Sequence, residues 1–343
     1  MRKGIVRAIS AMLLGAMLFS GCGMDSKESE MQLSMKDEIS IGLSFDSFVI
    51  ERWVRDRDAF VAAAEELGAT VNIQCANGSV DEQIEQIRYL IEKKVDVLVI
   101  IPVDCYKVAD VIAEAREAGI KVISYDRLCE KSNCDLYVSF DNEEVGHIMG
   151  QEVIKKLPDG GKICIIGGPL TDGNVARVEA GFQKETEGRL EVVYIARCNN
   201  WVANEATGYV QEALKKNPDI KAIMCGNDDI ATQVYQVLSA NQLSGEIYLT
   251  GQDGDLMAFQ RVASGTQLVS VFKPVDEIAR KAAECAVKLA KGEKLDNISE
   301  TINDGKYDIP FLEIMPIGVN CDNIDEIVID GGYHTKEEIY INK

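Results

Sequence analysis

From residue 39 to residue 291 the chain repeats one rhythm: an apolar run of strand length, a turn, then an amphipathic stretch of helix length. That alternation constrains the fold, because parallel strands cannot be joined by tight hairpins and need a crossover, usually a helix. The apolar runs predict strands over 39–45, 70–75, 97–101, 121–124 and 136–139, with helices over 50–67, 80–93 and 106–118 between them. The pattern then begins again, with strands over 162–166, 191–195, 222–225, 247–250 and 268–271 and helices over 175–184, 202–216, 230–240 and 255–264. Two successive five-strand units without a low-complexity linker predict an α/β protein of two similar lobes, each a doubly wound parallel sheet. A helix over 275–291 follows, then a mostly irregular stretch carrying Pro310 and Pro316, then a short apolar segment over 327–329. A length of 343 residues, at about 150 residues per domain, agrees with two lobes.

The N-terminus reads differently. Arg2, Lys3 and Arg7 precede an apolar stretch over 8–19, and Ser20, Gly21 and Cys22 follow. A basic start, a short apolar run and small residues describe a secretory leader over 1–21, and a run of about a dozen residues is short for roughly 30 Å of hydrocarbon. Leu18-Phe19-Ser20-Gly21-Cys22 resembles a bacterial lipobox, with Phe19 where Leu is usual, and so implies lipidation of Cys22. An ordinary signal peptide or an uncleaved anchor is the alternative. Residues 22–38, rich in Ser, Lys, Asp, Glu and Met without period, predict a flexible tether that holds the folded part outside the cell membrane.

Charge and cysteine content narrow the function classes. The chain carries 36 Lys and Arg against 56 Asp and Glu, a net charge of −20 that becomes −23 once the leader's three cations are removed. Nucleic-acid binding depends on clustered cations that release phosphate counterions, so no nucleic-acid partner is expected. Cys164 and Cys225 lie inside apolar strands, where a free thiol behaves as a small hydrophobe. With no CxxC pair and no His-rich cluster of zinc spacing, neither a metal nor a cofactor is expected. Cys129 and Cys134, separated by Glu-Lys-Ser-Asn, are spaced to close a small surface loop as a disulfide in an oxidising setting.

In doubly wound sheets, ligands bind beyond the carboxyl ends of the strands, and those positions are unusually polar here. Asp46 and Arg52-Trp53 follow the first strand, Asp126-Arg127 the fourth and Asp141-Asn142 the fifth. In the second unit the corresponding positions hold Asp172 and Asn174, Trp201, Asn227-Asp228, Gln252-Asp253 and Lys273. Carboxylates, amides and cations beside Trp suit an uncharged polyhydroxyl ligand: the polar groups pair with hydroxyls and the aromatic faces cover C–H patches. Each residue has a plainer rival reading. Asp141 and Asp253 are placed to cap helices, Arg52 to pair with Glu51 or Asp56, and Trp201 to fill a core.

Longer motifs carry a resemblance. Ile50-Glu51-Arg52-Trp53 with Arg57-Asp58, Gln74-Cys75-Ala76-Asn77-Gly78, residues 95–102, Ser124-Tyr125-Asp126-Arg127 and Ser139-Phe140-Asp141-Asn142 resemble, in order, the bacterial D-xylose-binding proteins of sugar ABC importers. Gly226-Asn227-Asp228, residues 250–255 and Phe272-Lys273-Pro274 continue the match. The resemblance implies a type I periplasmic-binding-protein fold with three hinge crossings, near Asn142, Lys273 and Pro316. Lobe one would then comprise 39–142 plus 275–315, and lobe two 143–274 plus 316–343. It further implies that Arg52, Asp126 and Arg127 reach a monosaccharide from lobe one, and Asp172, Asn174, Trp201, Asn227, Asp253 and Lys273 from lobe two or the hinge. Trp201 would stack on the sugar ring, the lobes would close on D-xylose or a related sugar, and an ABC permease would recognise the closed shape. A monomer is expected, because the cleft must open and close. The sequence departs from the pattern in the neighbours of Asp172 and Asn174, in Cys198-Asn199-Asn200 before Trp201, and at residues 46–49, where Phe48 offers an additional aromatic wall.

Enzyme readings lack their parts. There is no GxSxG elbow, no P-loop and no HExxH, and neither His147 nor His334 has an obvious nucleophile nearby, so no catalytic residue is assigned. The competing reading is a sugar receptor for a membrane histidine kinase or chemoreceptor, whose pocket would be identical and whose outer surface would differ. A transcriptional repressor of related core is disfavoured, because an export signal stands where a helix-turn-helix would.

Overall fold

The structure, a computed structural model, describes residues 38–295 and 297–341; the leader, Cys22 and the tether except Glu38 lie outside the described residues. Strands form where the apolar runs are. β1 (Ile39–Phe45), β2 (Ala69–Cys75), β3 (Val97–Ile100), β4 (Lys121–Tyr125) and β5 (Leu136–Phe140) alternate with α1 (Arg52–Glu66), α2 (Val80–Glu92) and α3 (Ala109–Glu117). β6 (Gly161–Gly167), β7 (Leu190–Arg197), β8 (Ile220–Cys225), β9 (Tyr248–Asp253) and β10 (Val269–Phe272) alternate with α5 (Gly173–Thr186), α6 (Glu205–Lys216), α7 (Asp228–Ala240) and α8 (Leu256–Ala263). Two further helices, α4 (Asn142–Lys156) and α9 (Val275–Ala290), follow β5 and β10.

With three later strands, β11 (Thr301–Asn303), β12 (Asp308–Ile314) and β13 (Ile317–Val319), the first sheet runs β11-β12-β5-β4-β3-β1-β2 and the second β13-β10-β9-β8-β6-β7, so both lobes share the inner order 5-4-3-1-2. Each sheet is covered on both faces, as parallel sheets require. Along β3, Val97 and Val99 face Phe60 and Ala64 of α1 and Ile278 and Ala282 of α9, while Leu98 and Ile100 face Ile87 of α2 and Ile112 of α3. The same period of two operates in β6, where Ile163 and Ile165 meet α4 and α5 and Cys164 and Ile166 meet α6 and α7.

The two long helices change sides. α4 leaves the first sheet and packs on α5, β9 and β10, whereas α9 leaves the second sheet and packs on α1, β3 and β4. Close packing of α4 on α5 depends on two glycines: a Cβ on Gly146 would lie 1.9 Å from the Val178 carbonyl oxygen, and one on Gly181 2.0 Å from that of Glu143. Among the described residues the chain passes between the sheets at 140–142, 272–275 and 314–317.

The stretch after α9 adds to the sequence reading. It is mostly irregular but also holds β11 (Thr301–Asn303), β12 (Asp308–Ile314) and β13 (Ile317–Val319), and the apolar segment over 327–329 lies in a short π-helix, Asp325–Asp330. Pro310 precedes the first register pair of β12 with β5, Phe311 with Tyr137, and Pro316 lies between strands, so the parallel ladder needs neither missing N–H. α3 begins at Ala109 rather than 106 because Asp104 accepts the Tyr106 N–H (2.9 Å) in a tight turn. Cys129 and Cys134 do not bridge a surface loop. Both are buried free thiols in the core of the first lobe, and burial pushes the Cys129 thiol well up. No helix among the described residues is long and apolar enough to cross a membrane.

Candidate functional site

The carboxyl ends of the two sheets face each other across a narrow cleft. From the first lobe, Arg52 enters on the first turn of α1, immediately after the loop that follows β1. Its guanidinium lies 2.6 Å from Asp126, 3.2 Å from Asp56 one helical turn on, and 3.7 Å from Asp253 of the second lobe. Arg127 meets Asp46 at 2.7 Å and, across the cleft, Asp172 at 2.7 Å. The Trp53 ring lies 4.3 Å from the Arg52 guanidinium and 5.5 Å from that of Arg127, within cation–π range.

The second lobe supplies complementary groups. Asp172 caps α5 with one oxygen, accepting the Asn174 N–H (3.0 Å), and with the other accepts the Trp201 indole N–H (3.2 Å). Asn174 donates to the carbonyl (3.0 Å) and the carboxylate (3.2 Å) of Asp126 in the opposite lobe. Trp201 lies flat against the chain because residue 168 is glycine: a Cβ there would be 2.4 Å from the indole. Lys273 reaches Asp253 at 3.5 Å.

Three of these residues hold unusual backbone. Asp126 (φ 60°), Trp201 (φ 58°) and Asp253 (φ 100°) all lie on the left-handed side, which costs a non-glycine residue on the order of 1–3 kcal/mol and clusters where geometry serves function. Asp126 directly follows β4 and Asp253 ends β9, the fourth strand of each unit in chain order, so the two lobes present an aspartate from similar positions.

Burial and pairing set the charges. Burial alone would raise Asp126, but Arg52, Lys273 and Arg127 overcome it and hold the carboxyl below its ordinary range. At Asp56 burial wins over Arg52 and the Tyr125 hydroxyl, and its pKa rises to about 7. Burial likewise raises Asp46 and Asp172 despite Arg127. Five carboxylates, Asp46, Asp56, Asp126, Asp172 and Asp253, thus face the three cations Arg52, Arg127 and Lys273. That balance disfavours an anionic ligand and suits a neutral one rich in hydroxyls. Buried polar atoms without partners point the same way. Trp53 Nε1 and Arg127 Nη2 are unmatched donors and Gln252 Oε1 an unmatched acceptor, each costing about 1–3 kcal/mol until paired. A hydroxyl serves either kind.

Eight of the nine residues expected to touch ligand line this cavity: Arg52, Asp126, Arg127, Asp172, Asn174, Trp201, Asp253 and Lys273. Asn227 is buried but stands apart; its side chain caps α7 by accepting the Ile230 N–H (2.9 Å), and its Nδ2 has no partner. Two rival readings hold alongside the site: Arg52 pairs with Asp56, and Asp141 caps α4 by accepting the Glu144 N–H. Asp253, in contrast, caps no helix. Trp53 and Gln252 also line the cavity. The strand-end rule reaches both, since each adjoins a residue that the sequence singles out.

Two α/β lobes that exchange a helix and enclose a neutral-ligand cleft between the ends of their sheets define a bilobed solute-binding protein. Residues 41–294 match the periplasmic binding protein domain, and the chain belongs to that family. It is 41% identical over 309 residues to the D-xylose-binding periplasmic protein of Haemophilus influenzae, covering 88% of this chain and 92% of that one. It is 39% identical over 308 residues to the protein of the same name in Escherichia coli, covering 88% and 93%. A carbohydrate transporter solute-binding protein of Chloroflexus aurantiacus, solved in complex with D-glucose, superposes with a TM-score of 0.81 at 26% identity, covering 88% of this chain and 98% of that one.

Proposed function

We propose that this chain is an extracytoplasmic solute-binding protein that captures a monosaccharide, D-xylose foremost, between two closing lobes and delivers it to an ABC permease. The observation that carries the reading is the cavity itself. Donors and acceptors from both lobes converge on it beside two Trp rings, with more carboxylates than cations and with unmatched buried donors and acceptors. The D-xylose-binding names of the two relatives support D-xylose as the sugar. Contacts that need both lobes exist only when the cleft is shut, so the ligand stabilises the closed form. In this reading the lobes are 39–142 plus 275–315 and 143–274 plus 316–343, the leader over 1–21 is removed, and Cys22 carries a lipid that tethers a monomer to the membrane. The protein catalyses no reaction and uses no cofactor.

Calorimetric titration of the protein lacking residues 1–38 with D-xylose, D-ribose, D-glucose and L-arabinose tests the assignment. The expected result is one-to-one D-xylose binding with a Kd of about 1 μM or tighter, near −8 kcal/mol, and its loss in Trp201→Ala and Asp253→Ala. Heatless injections with all four sugars into folded protein would overturn the pentose assignment and favour a different ligand.

A further inference from the structure

Asp228 is fully buried one residue beyond the α7 cap, and four donors converge on its carboxylate. One oxygen accepts the backbone N–H groups of Gly254 (3.0 Å) and Asp255 (3.2 Å) and the Ser270 hydroxyl; the other accepts the Gln267 side-chain amide (2.9 Å). Ser270 Oγ in turn accepts the Gly254 N–H at 3.2 Å, and Arg261 orients Gln267 by donating to its carbonyl oxygen at 2.9 Å. Gly254 and Asp255 immediately follow Asp253, whose φ of 100° sets its carboxylate between Lys273 and Arg52. Nothing from Asp228 itself lines the cavity.

We propose that Asp228 is a positioning residue for ligand binding, fixing the strained backbone of Asp253 by clamping the two peptide N–H groups that follow it. The inference rests on the sugar-binding reading of the cleft. The first lobe solves the same problem with different chemistry. There the Asp126 carbonyl, not the next amides, is held, by the Tyr137 hydroxyl (2.9 Å), the Ser139 hydroxyl (2.6 Å) and Asn174 (3.0 Å). A carboxylate is needed in the second lobe because every group facing it is a donor. An amide of the same shape would turn its own N–H2 toward donors, while the negative charge also sits favourably in the first turn of α7.

The test compares Asp228→Asn with Val210→Ala, a cavity in the core of the same lobe at a residue that does not line the cleft. Melting temperature, D-xylose affinity by calorimetry, and a crystal structure of Asp228→Asn are measured. Positioning predicts that both variants melt lower, that only Asp228→Asn loses at least tenfold in affinity, and that its Asp253 leaves the left-handed region. A folded Asp228→Asn that binds within twofold of the parent, or whose Asp253 keeps its backbone and its place beside Lys273, overturns the proposal. If Asp228→Asn does not fold, Ser270→Ala replaces it, with the same outcomes read. If the parent binds none of the sugars, the functional reading fails, and the backbone of Asp253 in the variant's structure alone decides whether Asp228 positions it.

Discussion

At the scale of single residues, the cleft is a network of buried charge in which both arginines answer to carboxylates on both lobes. Arg127 is the clearest case, touching Asp46 of its own lobe and Asp172 of the other. Removing one member of such a network strands the rest, which costs about 3–5 kcal/mol, whereas the net worth of the intact pair is small. Arg127→Met is therefore expected to lose roughly that much stability in urea unfolding, and Asp46→Asn combined with Arg127→Met to recover part of it. Recovery in the double variant separates uncompensated charge from lost packing. Much of this network was legible, because polar residues at strand ends have few structural reasons to be there. What the sequence did not reveal is mutual geometry: Asp56 enters the reading only as a rival partner for Arg52, yet it pairs with Arg52 inside the site and accepts the Tyr125 hydroxyl at 2.6 Å. Trp201 was readable as core or as ring wall, and it is buried against Gly168 while lining the cavity.

At the scale of elements, apolar runs located β1 to β10, because buried parallel strands are continuous hydrophobic segments. The same rule failed over β11 to β13, where strands of three to seven residues are half-exposed and one carries Pro310. The short edge strands β11 and β13 lack the apolar signature, and in β12 Pro310 reads as a breaker. Helix α4 is equally faint, since its buried face includes Gly146 and Gly150 where large apolar residues would have marked it. Those glycines let α4 approach α5. Gly181→Ala would place a methyl 2.0 Å from the Glu143 carbonyl oxygen, so the helices must separate, and overpacking of this kind costs typically 1–3 kcal/mol. The expected outcome is a lower melting temperature with sugar affinity unchanged, because this contact lies within the second lobe, behind its sheet.

At the scale of the whole molecule, two effects of acidification act in the same direction. A net charge of −20 repels itself less as carboxylates titrate. Burial also raises Asp56 to about 7 and Asp229 to about 6, in spite of the Arg52 and Arg261 charges that oppose the shift. A folded pKa above the unfolded one means that the folded state holds the extra proton, so the stabilisation is complete below the unfolded value, near 4. It is lost as pH rises through 6 to 7. Asp126, whose pKa is lowered, acts oppositely, but its stabilisation fades only as pH falls below about 4. The melting temperature is therefore expected to fall between pH 5 and pH 8, and the fall to be shallower in Asp56→Asn, which removes one titrating group while keeping its shape. A melting temperature that climbs over this interval would mean that these aspartates stay ionised in the folded protein. The closed cleft would then be held by fully charged pairs, and high salt rather than acid would be the condition that changes its stability.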